Sequence, residues 1–262
     1  MFEEIYHEYL LHKNEENRKE RYAEKEGWYH ASGAGLCSRK LYYESVEKIK
    51  PTNPPDKKSM RIMGLGTVMH NDIQNALIYY NNIYNNINIS NVKEKKEISS
   101  YKKKKLEFQV EGEITIPSLN VRGFYDVVSF DYGTSESSDT DPFVRLYDIK
   151  TIGAFAWKKR FNEVLPLQGG HHYLQLGTYG LALREKYKNR DSMSLIYYNK
   201  DTSIMREAVV PLGYVDQAKR YWYTINEEHS KGLPRFKPGT SPVHKWVCNY
   251  CQFKDHCNPP NI

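Results

Sequence analysis

The positions of the four cysteines constrain the fold of this chain more than any other sequence feature. Cys37 lies near the start of the 262 residues, and the other three stand near the end as Cys-x2-Cys-x5-Cys, at Cys248, Cys251 and Cys257. Two thiolates with two residues between them can reach one metal centre, and four thiolates suit zinc or an iron–sulfur cluster. One shared site requires the two ends of the chain to meet; the alternative is four unrelated buried cysteines.

The sequence also indicates the compartment in which the chain works. No segment approaches the roughly 18 apolar residues that span a bilayer, and the opening MFEEIYHEYL lacks the basic and then apolar order of a signal peptide. We therefore expect a cytoplasmic protein, either bacterial or phage-encoded in the host cytoplasm. In that reducing setting, cysteines more often bind metal than form disulfides.

The spacing of apolar residues predicts an α/β fold. Apolar residues recur at three- and four-residue steps from Ile62 to Leu77, which predicts a helix over residues 61–80. Strand-like segments separated by polar turns follow at 106–117, 121–131 and 143–150. Further helices are expected at 1–26, 171–187 and 213–230, with a strand pair at 193–200 and 203–210. This order implies a core with a mixed β-sheet flanked by helices.

Two of the predicted strands carry residues suited to metal-dependent phosphodiester hydrolysis. Such chemistry uses hard Mg²⁺ or Mn²⁺ ions on oxygen ligands, with a lysine nearby to orient water and offset negative charge. Asp126 lies in one strand, and Asp148 and Lys150 lie in the next, where residues two apart face the same side. The carbonyl of Ile149 between them can turn toward the metal. The alternative is that both aspartates are strand-end or salt-bridging carboxylates.

Two flanking helices add three candidate residues. His70 lies on the helix before the strands, and an imidazole suits manganese better than magnesium. A histidine on an amphipathic helix is also a common structural residue. Gln175 and Tyr179, on the helix after the strands, are four residues apart and therefore neighbours on one helical face. By themselves they are equally an ordinary polar patch.

Taken in order, these motifs resemble the RecB-like branch of the PD-(D/E)xK nucleases. The residues that carry the resemblance are His70, Asp126, Asp148-x-Lys150 and Gln175-x-x-x-Tyr179. The resemblance implies a restriction-endonuclease-like α/β core in which the histidine, both acids and the Ile149 carbonyl bind metal. It also implies that the lysine aids catalysis and that the glutamine and tyrosine bind substrate. Many relatives carry glutamate where this chain has Asp148, and Glu111 or Glu113 is a candidate for an additional acid.

The one-plus-three cysteine arrangement resembles the cluster-bearing nucleases of the CRISPR-associated exonuclease type and the AddB group. Around Cys37 the sequence also matches their Cys-x-Arg-x-x-Tyr-Tyr pattern. The resemblance implies a four-iron four-sulfur cluster that joins the chain ends, with zinc as the less favoured alternative. It predicts one nuclease domain over 1–262, composed of an N-terminal segment, a core and a C-terminal segment at 1–60, 61–210 and 211–262.

The function implied by the resemblance is metal-dependent hydrolysis of DNA, by an exonuclease acting on single strands or duplex ends. Such enzymes serve end processing, recombination, repair or CRISPR adaptation. The sequence has no G-x-x-x-x-G-K-[ST] loop for ATP, so it would work alone or with helicase, recombination or CRISPR adaptation proteins. The alternatives are a non-catalytic nucleic-acid-binding module of the same fold and a restriction-type endonuclease. The lysine run at 93–105 is predicted to contact phosphate or to form a solvated loop.

Overall fold

The computed structural model describes residues 2–22, 27–84, 106–133, 141–161, 170–184, 186–187, 190–235 and 245–257. The described helices are α1 (Phe2–Tyr22), α2 (Ser38–Ser45), α3 (Lys57–Tyr84), α4 (Ala154–Phe161), α5 (Gly170–Leu183), α6 (Tyr214–Ser230), α7 (Lys245–Asn249) and α8 (Lys254–Cys257). The described strands are β1 (Tyr29–His30), β2 (Leu106–Ile116), β3 (Val121–Asp131), β4 (Phe143–Ile152), β5 (Arg190–Asn199) and β6 (Met205–Val210). The lysine run at 93–105 lies outside the described residues.

The strands form one mixed sheet, as the order of helices and strands predicts. Its path is β1-β3-β4-β5-β6, and β2 also pairs with β3. Neighbours β3 and β4 are antiparallel, β4 and β5 are parallel, and β5 and β6 are antiparallel. The parallel pair needs a crossover connection, and this connection contains α4 and α5.

Strand β3 changes its neighbour part-way along one edge. Over residues 127–131 it pairs with β4, whereas its first two residues pair with β1. Strand β2 pairs along nearly the whole opposite edge. The backbone pairing between β3 and β4 therefore ends in the middle of β3, next to Asp126.

The core lies between the sheet and α5, with α6 packed on the outside of α5. Leu176 of α5 and Leu195 of β5 are both fully buried, and so is Trp222 of α6. The Trp222 indole donates a 2.9 Å hydrogen bond to the Thr178 hydroxyl, which ties the two helices together. In the described part of the chain, no helix is long and apolar enough to cross a membrane.

Helix α3 differs from its prediction in length and in burial. It begins at Lys57 and ends at Tyr84, so it extends beyond residues 61–80 on both sides. Ile62 and Leu65, predicted on its apolar face, are 48% and 47% exposed. The reason is that the C-terminal half of α3 is the part that contacts the sheet, and the buried residue there, Gln74, is polar.

Candidate active site

The two predicted catalytic aspartates lie where β3 and β4 separate. The last backbone pair of the two strands is Val127 with Tyr147. One residue further, Asp126 and Asp148 face each other without a ladder pair. Instead, the backbone N–H of Ile149 donates a 2.6 Å hydrogen bond to Asp126 Oδ2. A side-chain contact thus replaces the backbone ladder and holds the two parted strands in place.

Asp148, Lys150 and Gln175 form a connected polar group. Lys150 Nζ lies 2.7 Å from Asp148 Oδ2 and donates a 3.0 Å hydrogen bond to Gln175 Oε1. The amide of Gln175 donates to Asp148 Oδ1 at 3.3 Å and to the Tyr179 hydroxyl at 2.8 Å. The predicted shared face of Asp148 and Lys150 is therefore present. Gln175 and Tyr179 make these contacts while buried, and their predicted role in substrate binding stays a prediction.

Helix α3 reaches the same site with residues one turn apart. Nδ1 of His70 lies 3.6 Å from Asp126 Oδ2. Four residues later, the amide of Gln74 donates to the Asp126 backbone oxygen at 3.3 Å and to Glu111 Oε1 at 3.1 Å. Since i and i+4 share a helical face, α3 contacts both the side chain and the backbone of Asp126.

Glu111 is the acid that sequence reasoning identified only as one of two candidates. In the β2–β3 register it stands opposite Asp126, between the paired residues Val110 and Gly112. Its φ of 52° is in the left-handed region, which breaks the strand locally. Three acids, from β2, β3 and β4, consequently lie at one level of the sheet. Its neighbour candidate, Glu113, pairs further along with Phe124.

The electrostatics of this group fit a hard divalent cation. Burial and the negative charge of Asp148 raise the pKa of Asp126 well above its usual range, and Lys150 lowers it in part. Asp148 is only 1% exposed, and its Oδ2 forms an ion pair with the Lys150 ammonium group 2.7 Å away. A bound cation would relieve the repulsion between the two carboxylates. Carboxylate oxygens are the ligands that Mg²⁺ and Mn²⁺ prefer.

The same side chains are not arranged as a ready ligand sphere. In the ranges that the structure describes, no three His, Cys, Asp or Glu residues form a group that could hold a metal ion. Lys150 and the Ile149 amide occupy the carboxylate oxygens that a cation would use. The metal-binding roles of His70, Asp126, Asp148 and the Ile149 carbonyl therefore stay predictions.

A second cluster, which the sequence did not predict, lies behind Lys150. His172 of α5 is half-buried, and its Nδ1 lies 3.2 Å from the Tyr197 hydroxyl. Burial and the positive charges of Lys150, His171 and Arg160 lower its pKa well below the usual value. Arg160 lies between two aromatic rings and donates a hydrogen bond to Tyr173. His172 is therefore neutral near neutral pH and adds no charge of its own beside Lys150 and Arg160.

The four cysteines form no disulfide and line one common cavity. Among the residues that the structure describes, however, no three of them form a group that could hold a metal ion. The buried ring of Phe253 packs against Tyr43 beside it, with ring centroids 5.8 Å apart. The Asn53 side chain donates to the Cys251 carbonyl at 3.1 Å. The C-terminal segment is thus fastened to the N-terminal one, whereas the cluster itself stays a prediction.

Comparison with known proteins identifies the class to which this fold and site belong. The PD-(D/E)XK nuclease superfamily matches residues 89–258, so the chain belongs to that superfamily. The matched range contains Asp126, Asp148 and Lys150 and begins after His70. The superfamily defines a hydrolase acting on nucleic acid, and its members typically use Mg²⁺ or Mn²⁺.

One solved structure has a fold similar to that of this chain. The crystal structure of SSO0001 matches 97% of this chain and 97% of its own, with a TM-score of 0.50 and 18% sequence identity. At that identity the likeness concerns the fold alone. Among curated proteins, none matches the chain.

Proposed function

We propose that the chain is a Mg²⁺- or Mn²⁺-dependent deoxyribonuclease of the RecB-like branch that acts as an exonuclease. The observation that carries this proposal is the meeting of Asp126 and Asp148 at the point where β3 and β4 part, with Lys150 beside them. Superfamily membership makes nucleic acid the substrate class. The choice of DNA, and of chain ends, rests on the motif resemblance.

In this proposal Asp126, Asp148, the Ile149 carbonyl and His70 hold the metal ion. When bound, the ion would lower the pKa of the attacking water and stabilise charge on the phosphate. Asp126 is held for this role from two sides, by the Ile149 amide on its carboxylate and by Gln74 on its carbonyl. Asp126 is therefore fixed before substrate arrives, which reduces the reorganisation that the reaction requires.

Lys150 supplies the positive charge of the proposed site. Its ammonium group is held between Asp148 Oδ2 and Gln175 Oε1. An ammonium group has three donors, so two fixed partners leave a third donor for a water molecule or a phosphate oxygen. Gln175 orients the lysine and the carboxylate together because its amide contacts both.

We further propose that Cys37, Cys248, Cys251 and Cys257 hold a four-iron four-sulfur cluster. Their common cavity supports a shared centre over four unrelated cysteines. Burial raises the pKa of the Cys251 thiol, and the nearby thiols of Cys37 and Cys248 add to this. This raised pKa favours the protonated thiol. A cationic centre would lower the pKa and stabilise the thiolates. The cluster would join the chain ends and need not transfer electrons.

The proposed biological setting is DNA end processing in the cytoplasm of a bacterium or a phage-infected cell. Recombination, repair and CRISPR adaptation all use such an activity. Helicase, recombination or CRISPR adaptation proteins are the proposed partners, because the sequence has no ATP-binding loop of its own.

The decisive experiment compares linear and closed circular DNA with Mg²⁺ or Mn²⁺. We expect the linear substrate to be degraded from its ends and the circle to survive. Asp148→Asn should lower the rate by several orders of magnitude while DNA binding persists, because a metal ligand acts mainly on the transition state. Asp216→Asn, which alters an exposed ion pair on α6, is the matched control and should cleave normally.

Each other outcome supports a different interpretation. Cleavage of the closed circle would favour a restriction-type endonuclease. Binding without cleavage by the wild type would favour a non-catalytic module of the same fold. Normal cleavage by Asp148→Asn would remove that residue from the site.

A further inference from the structure

Helix α4 follows the catalytic strand and presents an unusual outward face. Strand β4 ends at Ile152, and α4 begins two residues later, at Ala154. Its sequence, AFAWKKRF, contains three basic and three aromatic residues and no acid. By chain length alone, Phe155 lies within about 18 Å of Lys150. The helix is therefore a neighbour of the site described above, although none of the predicted motifs includes it.

The inward side of α4 is anchored, so the helix is a fixed part of the surface. Its first N–H, at Ala154, donates a 2.6 Å hydrogen bond to Asp201 in the turn after β5. At the other end, the Phe161 ring contacts the Tyr197 ring at 5.4 Å and lies under the Arg206 guanidinium at 4.8 Å. These contacts involve neither Phe155 nor the two lysines, so they leave the opposite side of the helix to solvent.

That opposite side combines one exposed ring with two lysines. Phe155 is 74% exposed, which is high for a large apolar residue. Lys159 lies one turn further, with its Nζ 4.6 Å from the centre of the Phe155 ring. Lys158 is also exposed. An exposed aromatic ring flanked by lysines matches the two contacts that bind single-stranded nucleic acid, base stacking and phosphate attraction.

We propose that Phe155, Lys158 and Lys159 form a binding surface for a single strand of DNA that leads to the active site. The inference rests on the proposed function, which it extends by naming the strandedness of the bound segment. A ring can stack only on a base whose face is free, and in a duplex both faces are covered by neighbouring bases. Charge favours a nucleic acid as the ligand, because the two lysines attract phosphate and the nearby acid, Asp201, is engaged at the start of the helix. The choice of a single strand rests on base stacking alone.

Binding can be measured apart from cleavage, with a labelled single strand and a labelled closed circular duplex, which has no end on which the ring could stack, in the absence of divalent metal. We expect Phe155→Ala to weaken single-strand binding by about 5-fold to about 150-fold, the range expected when one base–aromatic stack is removed. Duplex binding should change little. Phe155→Trp should retain affinity, whereas Phe155→Leu should reduce it, because leucine keeps apolar area without a π face.

The contribution of the two lysines can be measured independently, from the salt dependence of single-strand affinity. Lys158→Gln with Lys159→Gln should reduce the slope of log affinity against log salt by about 0.7 for each phosphate that the variant no longer neutralises. The adjacent pair Lys219→Gln with Arg220→Gln on α6 is the matched charge control and should leave the slope unchanged. Phe143→Ala is the matched aromatic control. Phe143 is 60% exposed and lies at the start of β4, whereas α4 follows the other end of that strand.

The outcomes separate this inference from the proposed nuclease function. Single-strand binding by Phe155→Ala equal to that of Phe143→Ala would overturn the inference, and so would an equal weakening of duplex binding. If Phe155→Ala lowers the Tm, the comparison of Phe155→Trp with Phe155→Leu decides instead. A wild type that binds the single strand and cuts no DNA would overturn the function and leave the binding surface standing.

Discussion

The role of Gln175 can be tested quantitatively because it contacts both charged groups of the proposed site. Gln175→Ala removes an acceptor from Lys150 and a donor from Asp148. A hydrogen bond to a charged group contributes about 1.5–3 kcal/mol, and two that share one side chain are not additive. If that energy stabilises the transition state, kcat/KM should fall by about 10-fold to about 150-fold in the variant.

The assay is steady-state cleavage of a linear DNA with the Tm measured in parallel. Thr178→Val is the control, because Thr178 is buried on the same helix and its hydroxyl accepts a hydrogen bond from Trp222 of α6. It should lower the Tm without lowering kcat. A fall in kcat for Gln175→Ala indicates positioning of the lysine, whereas a rise in KM alone would support the substrate-binding role that the family resemblance implies. Unchanged kcat/KM in a stable Gln175→Ala protein would refute both.

Three other parts of the molecule can be tested in the same direct way. His70→Ala should impair cleavage more than DNA binding, and excess Mn²⁺ should restore part of the rate; a variant that unfolds would instead show that His70 is structural. Cys251→Ser should abolish the brown colour of anaerobically purified protein and lower its Tm; colourless wild type with one zinc per chain would exclude the iron–sulfur cluster. Because burial depresses the pKa of His172, the unfolded chain binds its proton more readily, so stability is fully present above about pH 6.5 and falls below it. The slope from this residue is at most about 1.4 kcal/mol per pH unit, and His172→Phe should flatten it in urea unfolding; an equal slope in the variant would show that other groups dominate.

The strands and the shared face of Asp148 and Lys150 could be predicted because their patterns are local. Alternation of apolar residues is a property of each strand, and Asp148 and Lys150 need only the two-residue repeat to face one side. The polar sequence between β3 and β4 predicted a turn, which is compatible with the antiparallel pairing of the two strands. The same locality explains why Gln175 and Tyr179 were recognised as helical neighbours.

The features that the sequence missed or left open depend on contacts between elements that are distant in sequence. Gln74 is informative only once α3 is known to cross the backbone of Asp126. Glu111 stands opposite Asp126 in the register, and its positive φ is not encoded by a glycine. The surroundings of His172 come from α4, α5 and β5 together. Such surroundings are set by packing, which a periodicity cannot show.

Helices α3 and α5 each hold one of the two aspartates in position by contacts from neighbouring helical turns. A sheet positions side chains well while its ladder is intact, but β3 and β4 separate at the residues that carry the proposed chemistry. Helix α3 supports Asp126 with His70 and Gln74, one turn apart. Helix α5 supports Asp148 with Gln175, which Tyr179 contacts from the next turn. Each parted strand thus has a pair of helical residues in place of the missing ladder, so both carboxylates are held in position at the point where the strands separate.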